Sequence, residues 1–237
     1  MFTDDDEIVI PRTFPKLVSR RVLTMSFVEG YKLADMLNPG VDQDLKDWIA
    51  VKYFRTLWRQ VFEFGTLHTD PHPGNYLVTY HPKLAILDFG SIRIFPDEIR
   101  VQYLKLARAL IDRKRDDAAR ACVALGYLDA GDDPRPMLDM LDQIFDPVYE
   151  DRVYDPHDYN TMDRAMKVAT ISLEKRVFKS PGHGVFLMRA LIGLDSYIQQ
   201  FGTVANFPRL FLACISDAER RTSGRAAARG RRGARRA

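Results

Sequence analysis

One stretch, Gly65–Gly90, constrains this 237-residue chain more than any other part of it. A turn begins at Asp70 and ends at Asn75, with prolines at positions 71 and 73 and a glycine at position 74. Because proline fixes φ and lacks an N–H, these positions exclude a helix and predict a loop of defined shape. Two short apolar runs follow, separated by a His-Pro-Lys turn, and the second ends at Asp88 before a Phe-Gly pair. The pattern predicts a rigid loop followed by two short strands.

Asp70, Asn75 and Asp88 have side chains that suit one kind of chemistry. Phosphoryl transfer from ATP needs a carboxylate that takes the hydroxyl proton, followed by an amide and a second carboxylate that hold Mg²⁺. The order in the chain matches this requirement, and Asn75 follows Asp70 by five residues. Amide and carboxylate oxygens are also the hard donors that Mg²⁺ prefers. A proline-rich surface turn before a strand-end aspartate would explain each residue singly but not their joint order.

The Asp70–Asn75 loop followed by Asp88-Phe-Gly resembles the catalytic and metal-binding loops of protein-kinase-like folds. The longer strings Thr69-Asp-Pro-His-Pro-Gly-Asn75 and Leu87-Asp-Phe-Gly90 resemble the UbiB/AarF atypical kinases, the quinone-biosynthesis-linked branch of that superfamily. The resemblance implies that Asp70 is the catalytic base or orienting carboxylate and that Asn75 and Asp88 bind Mg²⁺. It also implies ATP as the phosphoryl donor and a lipid or quinone-pathway component as a partner.

The N-terminal segment is predicted to supply two strands of a small lobe. Glu7–Pro11 and Arg21–Val28 are rich in β-branched and apolar residues, which favours strands joined by a turn. In the family, the last strand of this lobe enters a hinge that contacts adenine through its backbone. The resemblance places this site at four residues, with Met25 at the back of the adenine pocket and Ser26, Phe27 and Val28 as the hinge.

Two kinase motifs do not occur in the sequence. It contains neither a Gly-rich phosphate-covering loop nor a Val-Ala-Ile-Lys-like strand with the lysine that pairs the nucleotide phosphates. The resemblance therefore begins partway through the small lobe. We expect the chain to be a fragment, a shortened reading frame or a degenerate homologue that is inactive by itself.

Most of the remaining sequence predicts helices. Between Leu45 and Phe64 the polar residues fall on one stripe at three- and four-residue steps, and a broad apolar surface faces the other way. Gly65 is expected to close this helix. Further helices are predicted from Pro96 and over Asp116–Leu125, Pro134–Val148, Tyr159–Phe178, Val185–Phe201 and Pro208–Arg220.

These elements predict a mainly α (α+β) fold. We expect a protein-kinase-like helical large lobe at residues 31–219, with short catalytic-loop strands, and a two-strand remnant of the small lobe at residues 1–30. Residues 220–237 carry eight arginines and no acid, and this composition predicts a disordered tail. The tail could bind an anionic membrane surface, with a contribution of about 1 kcal/mol per basic residue. It could also bind nucleic acid non-specifically, or only aid solubility. No specific nucleic-acid partner is expected.

The remaining composition indicates a cytoplasmic protein. Peripheral contact with a membrane through the tail is an additional possibility that the sequence leaves open. The start of the sequence is acidic and polar, unlike a signal peptide, and no apolar run is long enough to span a bilayer. Cys122 and Cys214 lie far apart without metal-ligand spacing, which favours reduced, packed thiols. Two functional alternatives stay open: a small-molecule phosphotransferase of the aminoglycoside or choline kinase type, and a non-catalytic pseudokinase or regulatory module.

Overall fold

The computed structural model describes residues 1–156, 166–168, 170 and 179–233 of the chain. The helices are α1 Gln43–Arg59, α2 Asp97–Ile111, α3 Arg115–Leu125, α4 Arg135–Phe145, α5 Gly182–Phe201 and α6 Phe207–Gly233. The strands are β1 Ile8–Val9, β2 Tyr31–Lys32, β3 Thr66–His68, β4 Tyr76–Val78, β5 Leu84–Ile86 and β6 Ile92–Ile94. The predicted mainly α (α+β) class is confirmed. The predicted helix Tyr159–Phe178 lies outside the described residues, apart from positions 166–168 and 170.

Two small sheets flank the Asp70–Asn75 loop. The first has the order β1-β5-β4-β2, in which β4 and β5 form an antiparallel hairpin and β1 runs parallel to β5. The second pairs β3 with β6 in antiparallel register, His68 opposite Ile92. The loop leaves the end of β3 and enters the start of β4, so both of its ends are tied to strands.

Helix α1 leads the chain into this region and carries much of the core. Its apolar face is buried. Near its end, Trp58 stacks on Phe62 of the following turn, with ring centroids 5.0 Å apart. Five residues of π-helix follow the α-helical part, and Gly65 ends the helix with φ of 59°, a left-handed conformation that favours glycine. The predicted helix and its closing glycine are confirmed.

The polar stripe of this helix is largely buried rather than solvated. Lys52, Thr56, Gln60 and Glu63 are all buried. The N-terminal acids pair with one of them, since Lys52 Nζ lies 2.8 Å from carboxylate oxygens of both Asp5 and Glu7. Charge pairing makes it possible to bury the Lys52 ammonium group, since an isolated buried charge would be costly. Thr56 and Gln60 are uncharged and make hydrogen bonds to backbone groups of Lys52 and His68.

The predicted strand Arg21–Val28 is wrong. Residues 13–26 form a short 3-10 helix at Pro15–Leu17 and isolated bridges, Thr13 to Met25 and Ser19 to Val22, and the next strand begins at Tyr31. The apolar side chains of this segment stay exposed, Phe27 at 88%. Strand propensity reflects packing on a pleated, half-buried surface, and among the described residues nothing covers these side chains. By contrast β1, inside the predicted Glu7–Pro11 strand, pairs with the buried β5.

The predicted disordered tail is wrong over most of its length. Helix α6 continues without interruption to Gly233, so no boundary falls at residue 220, and residues 234–237 lie outside the described range. Arginine and alanine are strong helix formers, and α6 begins with core side chains such as Phe211 and Ile215. Arg221 then bonds the Asp4 carboxylate at 2.6 Å. Among the described residues no helix is both long enough and apolar enough to cross a membrane.

Candidate active site

The structure brings the three predicted site residues together. The Asn75 amide nitrogen donates to Asp70 Oδ2 at 3.0 Å and to the Asp70 carbonyl at 3.3 Å. The backbone N–H of Leu87 donates to the Asn75 carbonyl at 2.9 Å, which extends the β4–β5 pairing by one step. Asp88 is the next residue and therefore emerges beside the loop. The convergence of Asp70, Asn75 and Asp88 is thus a property of the fold.

His68 braces this arrangement from below. Its Nδ1 accepts the Asp70 backbone N–H at 3.3 Å, and its Nε2 lies 2.5 Å from the Asp88 carbonyl. Since Nδ1 acts as the acceptor, the consistent tautomer carries its proton on Nε2 and donates it to Asp88. The ring is buried, at 6% exposure. His68 therefore links the start of the loop to the end of the strand through both ring nitrogens.

The loop keeps its shape through local hydrogen bonds. His72 Nδ1 accepts the Gly74 N–H at 3.0 Å, and the His72 carbonyl accepts the Asn75 N–H at 3.0 Å. A Cβ on Gly74 would lie only 2.9 Å from His72 Nδ1, so a larger residue would force the ring aside. His72 therefore stabilises the turn.

Helix α5 closes the other side of the loop, which sequence reasoning missed. Arg189 Nη2 lies 2.9 Å from Asp70 Oδ1, and Tyr197 donates its hydroxyl to the Pro71 carbonyl at 3.0 Å. Between them, a Cβ on Gly193 would overlap the Pro71 ring. These three α5 residues repeat at four-residue steps and so share one helix face. The repeat was readable in the sequence, but nothing in it identified the loop as the partner.

Three tyrosines form a protonated layer beneath the loop. Tyr53 packs edge-on against Tyr76 and Tyr197, with ring centroids 5.0 and 5.5 Å apart. Burial raises the pKa of Tyr76 to about 12, and it also raises the pKa values of Tyr53 and Tyr197 above the ordinary value of 10. All three hydroxyls stay neutral near pH 7, so the negative charge on this side of the site belongs to Asp70.

The oxygen atoms of Asp88 and Asn75 suit a hard divalent cation whose other ligands are water or substrate. The Asp88 carboxylate is exposed, and its Oδ1 accepts the Gly90 N–H at 2.7 Å. The Asn75 amide uses its nitrogen on Asp70, which leaves the amide oxygen as its acceptor. Within the described residues no group of three or more His, Cys, Asp or Glu side chains could hold a metal ion. Mg²⁺ commonly takes one or two protein oxygens and completes its shell with water and substrate phosphates.

The predicted adenine hinge lies on the exposed N-terminal segment. Met25 and Phe27 are exposed, and Ser26 is tied to Arg12 through both its backbone N–H, at 2.8 Å, and its hydroxyl. Gly30 lies two residues after Val28, and a Cβ there would be 2.5 Å from the Val78 carbonyl oxygen. This close approach anchors the segment to β4, the strand that begins after Asn75. The hinge role of Met25, Ser26, Phe27 and Val28 stays a prediction.

This fold has a counterpart among solved structures. A solved structure from Mycobacterium tuberculosis, the complex of Rv3197 with erythromycin, matches with a TM-score of 0.68. The match covers 88% of this chain and 52% of that one at 17% sequence identity, and it supports the fold alone.

Residues 1–122 match the model of the ABC1 atypical kinase-like domain, and the chain belongs to that family. The resemblance to the UbiB/AarF atypical kinases is confirmed. The chain is 37% identical over 147 residues to the chloroplastic protein Activity of BC1 Complex Kinase 3 of Arabidopsis thaliana, covering 62% of this chain and 20% of the relative. It is 26% identical over 218 residues to the mitochondrial atypical kinase COQ8 of Saccharomyces cerevisiae, covering 89% of this chain and 43% of that protein. The chain thus spans less than half the length of both relatives.

Proposed function

We propose that this chain carries the catalytic and metal-binding half of an atypical kinase that uses Mg-ATP for phosphoryl transfer or hydrolysis. One observation supports this most directly: the Asn75 amide bonds the Asp70 carboxylate, while the adjoining strand presents an exposed Asp88 beside them. The chemistry needs a carboxylate and two oxygen ligands in that order. Membership of the atypical kinase-like family supports the same function.

Each residue would have a distinct role. Asn75 and Asp88 would hold Mg²⁺, which supplies positive charge against the nucleotide phosphates. Asp70 would orient the acceptor hydroxyl and take its proton while the acceptor oxygen forms a bond to the γ-phosphorus. The bond from that phosphorus to the β,γ-bridging oxygen breaks and ADP leaves; with water as the acceptor, the same step is hydrolysis. Met25, Ser26, Phe27 and Val28 would contact adenine.

The acceptor that we propose is a lipid or quinone-pathway component, in keeping with the family resemblance. An anionic membrane surface would bring such an acceptor to the site, and the arginines of the C-terminal segment would supply attraction to it. We further propose that the 237 residues alone turn over slowly. Catalysis in this class depends on positioning and charge, and the sequence contains neither the phosphate-covering loop nor the lysine that perform these roles in kinases.

The test is calorimetric titration of the chain with ATP, with and without Mg²⁺, followed by single-turnover hydrolysis. Wild type should bind ATP only with Mg²⁺, and Asp88→Asn and Asn75→Ala should each weaken binding at least about tenfold, as expected on losing a metal ligand. Asp129→Asn, in an exposed loop outside the site, is the control and should bind as wild type does.

Adding the small-lobe segment of a complete homologue in trans should raise the hydrolysis rate. Binding that ignores both Mg²⁺ and Asp88→Asn would overturn the proposal in favour of a non-catalytic module. Rapid turnover by the chain alone, abolished by Asp88→Ala, would keep the ATP chemistry and refute the dependence on a second lobe.

A further inference from the structure

Both carboxylate oxygens of Asp70 are engaged in this structure. Oδ2 accepts from the Asn75 amide, and Oδ1 lies 2.9 Å from Nη2 of Arg189. The Arg189 guanidinium therefore occupies the side of Asp70 that an acceptor hydroxyl would need. A group that enters the site must displace it or give it another partner.

The position of Arg189 does not depend on its salt bridge with Asp70. Two turns of α5 further along, Tyr197 bonds the Pro71 carbonyl, and between them the backbone at Gly193 packs on the Pro71 ring. These contacts fix the register of α5 against the loop. Arg189 stays near the loop when its salt bridge opens.

The salt bridge itself can open readily. The side chain of Arg189 is 56% exposed and that of Asp70 is 32% exposed. Ion pairs exposed to this degree contribute little to stability, because water and counterions screen them. A phosphate group, which carries more charge than one carboxylate and matches the planar guanidinium in two parallel hydrogen bonds, competes well for such an arginine.

The site also needs a cation at this place. The loop Asp70–Asn75 contains no lysine or arginine, yet phosphoryl transfer spreads negative charge over the phosphoryl oxygens. A second arginine, Arg93, lies near the same face of α5 and adds to its positive charge. The Arg93 guanidinium is 4.3 Å from the ring centroid of Phe186. Phe186 precedes Arg189 by three residues and is its neighbour on the helix surface.

We propose that Arg189 binds the terminal phosphoryl group of the nucleotide and releases Asp70 when it does so. Nucleotide binding would then free Oδ1 of Asp70 for the acceptor hydroxyl, so that Asp70 accepts a proton only when a phosphoryl group is present. This inference rests on the proposed function and adds a nucleotide-binding residue to it.

The test compares the affinities of the chain for Mg-ATP and Mg-ADP by calorimetry. Arg189→Gln should lower the preference for ATP over ADP by about tenfold, the effect of losing one charge-assisted contact, while ADP affinity stays within about twofold. Arg189→Lys keeps the charge and should retain part of the preference. Arg209→Gln, which breaks the salt bridge between Arg209 at the start of α6 and Asp151, is the matched control and should change neither affinity.

A second variant keeps the test decisive should Arg189→Gln not fold. Asp70→Asn keeps Arg189 but removes the carboxylate charge that holds it, so it should raise the preference for ATP over ADP, and an unchanged preference in this variant would contradict the inference. Wild-type binding with an unchanged preference in Arg189→Gln, or an equal loss for ATP and ADP, would overturn the inference and leave the proposed function intact. Absence of Mg-nucleotide binding in wild type would overturn both.

Discussion

The imidazole of His68 joins the backbone carbonyl of Asp88 to the loop that begins at Asp70. Its Nε2 lies 2.5 Å from the Asp88 carbonyl oxygen, and its Nδ1 accepts the Asp70 N–H. One buried ring therefore fixes the distance between a loop residue and a strand end that are far apart in sequence. The relative placement of the proposed base and the proposed metal ligand depends on this side chain.

Replacing His68 with alanine should therefore loosen the site and destabilise the fold. The change removes the Asp88 contact and leaves a cavity beside Tyr76, for a cost of about 2 kcal/mol in the free energy of unfolding. Urea unfolding measures this cost, and His81→Ala is the control because His81 is exposed in a turn. Equal free energies of unfolding for the two variants would show that the contacts of His68 do not stabilise the fold.

The local patterns in the sequence predicted most of the described helices and the loop-and-strand arrangement around Asp70 and Asp88. The proline-rich loop at Asp70, the strand end at Asp88 and the closing glycine at position 65 each follow from short-range backbone chemistry. The convergence of the site residues follows because the loop and the β4–β5 hairpin are contiguous in sequence.

What the sequence did not reveal depends on contacts between distant segments. Arg189 meets Asp70 across 119 positions and Arg221 meets Asp4 across 217, and neither pairing leaves a periodic signal. The same cause explains the two wrong predictions. The segment around Phe27 has strand composition without a covering layer, and Arg221 in the arginine-rich segment pairs with Asp4 near the opposite end of the chain.

The contact between Gly193 and Pro71 gives a second prediction. Alanine is a better helix former than glycine by about 1 kcal/mol, so Gly193→Ala would stabilise an unobstructed helix. Here the new methyl group would overlap Pro71, and overpacking should destabilise the protein by about 1–3 kcal/mol. Gly182→Ala on the same helix meets nothing within 4 Å and should be neutral or slightly stabilising in thermal denaturation. Stabilisation by both Gly193→Ala and Gly182→Ala would show that α5 does not pack closely against Pro71.

Asp4 makes the stability of the fold sensitive to acid. A hydrogen bond from Arg221, helped by Arg59, lowers the pKa of Asp4 from 3.8 to about 2. Because the folded-state pKa is the lower one, the unfolded state binds more protons between these values. The contribution of Asp4 is complete above the unfolded pKa and is lost as the pH falls toward 2.

Asp4→Asn should therefore reduce the loss of stability between about pH 5 and about pH 2.5, measured by urea unfolding at both values. The exposed neighbour Asp6 makes no ion pair with the described residues, so Asp6→Asn should leave the pH dependence unchanged. The same pH dependence in wild type and Asp4→Asn would contradict the assignment.

The adjacent residues Arg220 and Arg221 provide the last prediction, since only one of them reaches across the fold. Arg221 bonds Asp4 at 2.6 Å, and its Nε lies 3.4 Å from the buried Glu63 carboxylate. Among the described residues Arg220 pairs with Asp217 alone, three residues earlier on its own helix. Arg221→Gln removes one of the two arginines beside Glu63 and should lower the free energy of unfolding by about 1–2 kcal/mol. Arg220→Gln removes an exposed pair and should change it by less than about 0.5 kcal/mol. Equal effects in chemical denaturation would show that α6 does not hold the N-terminal acids in solution.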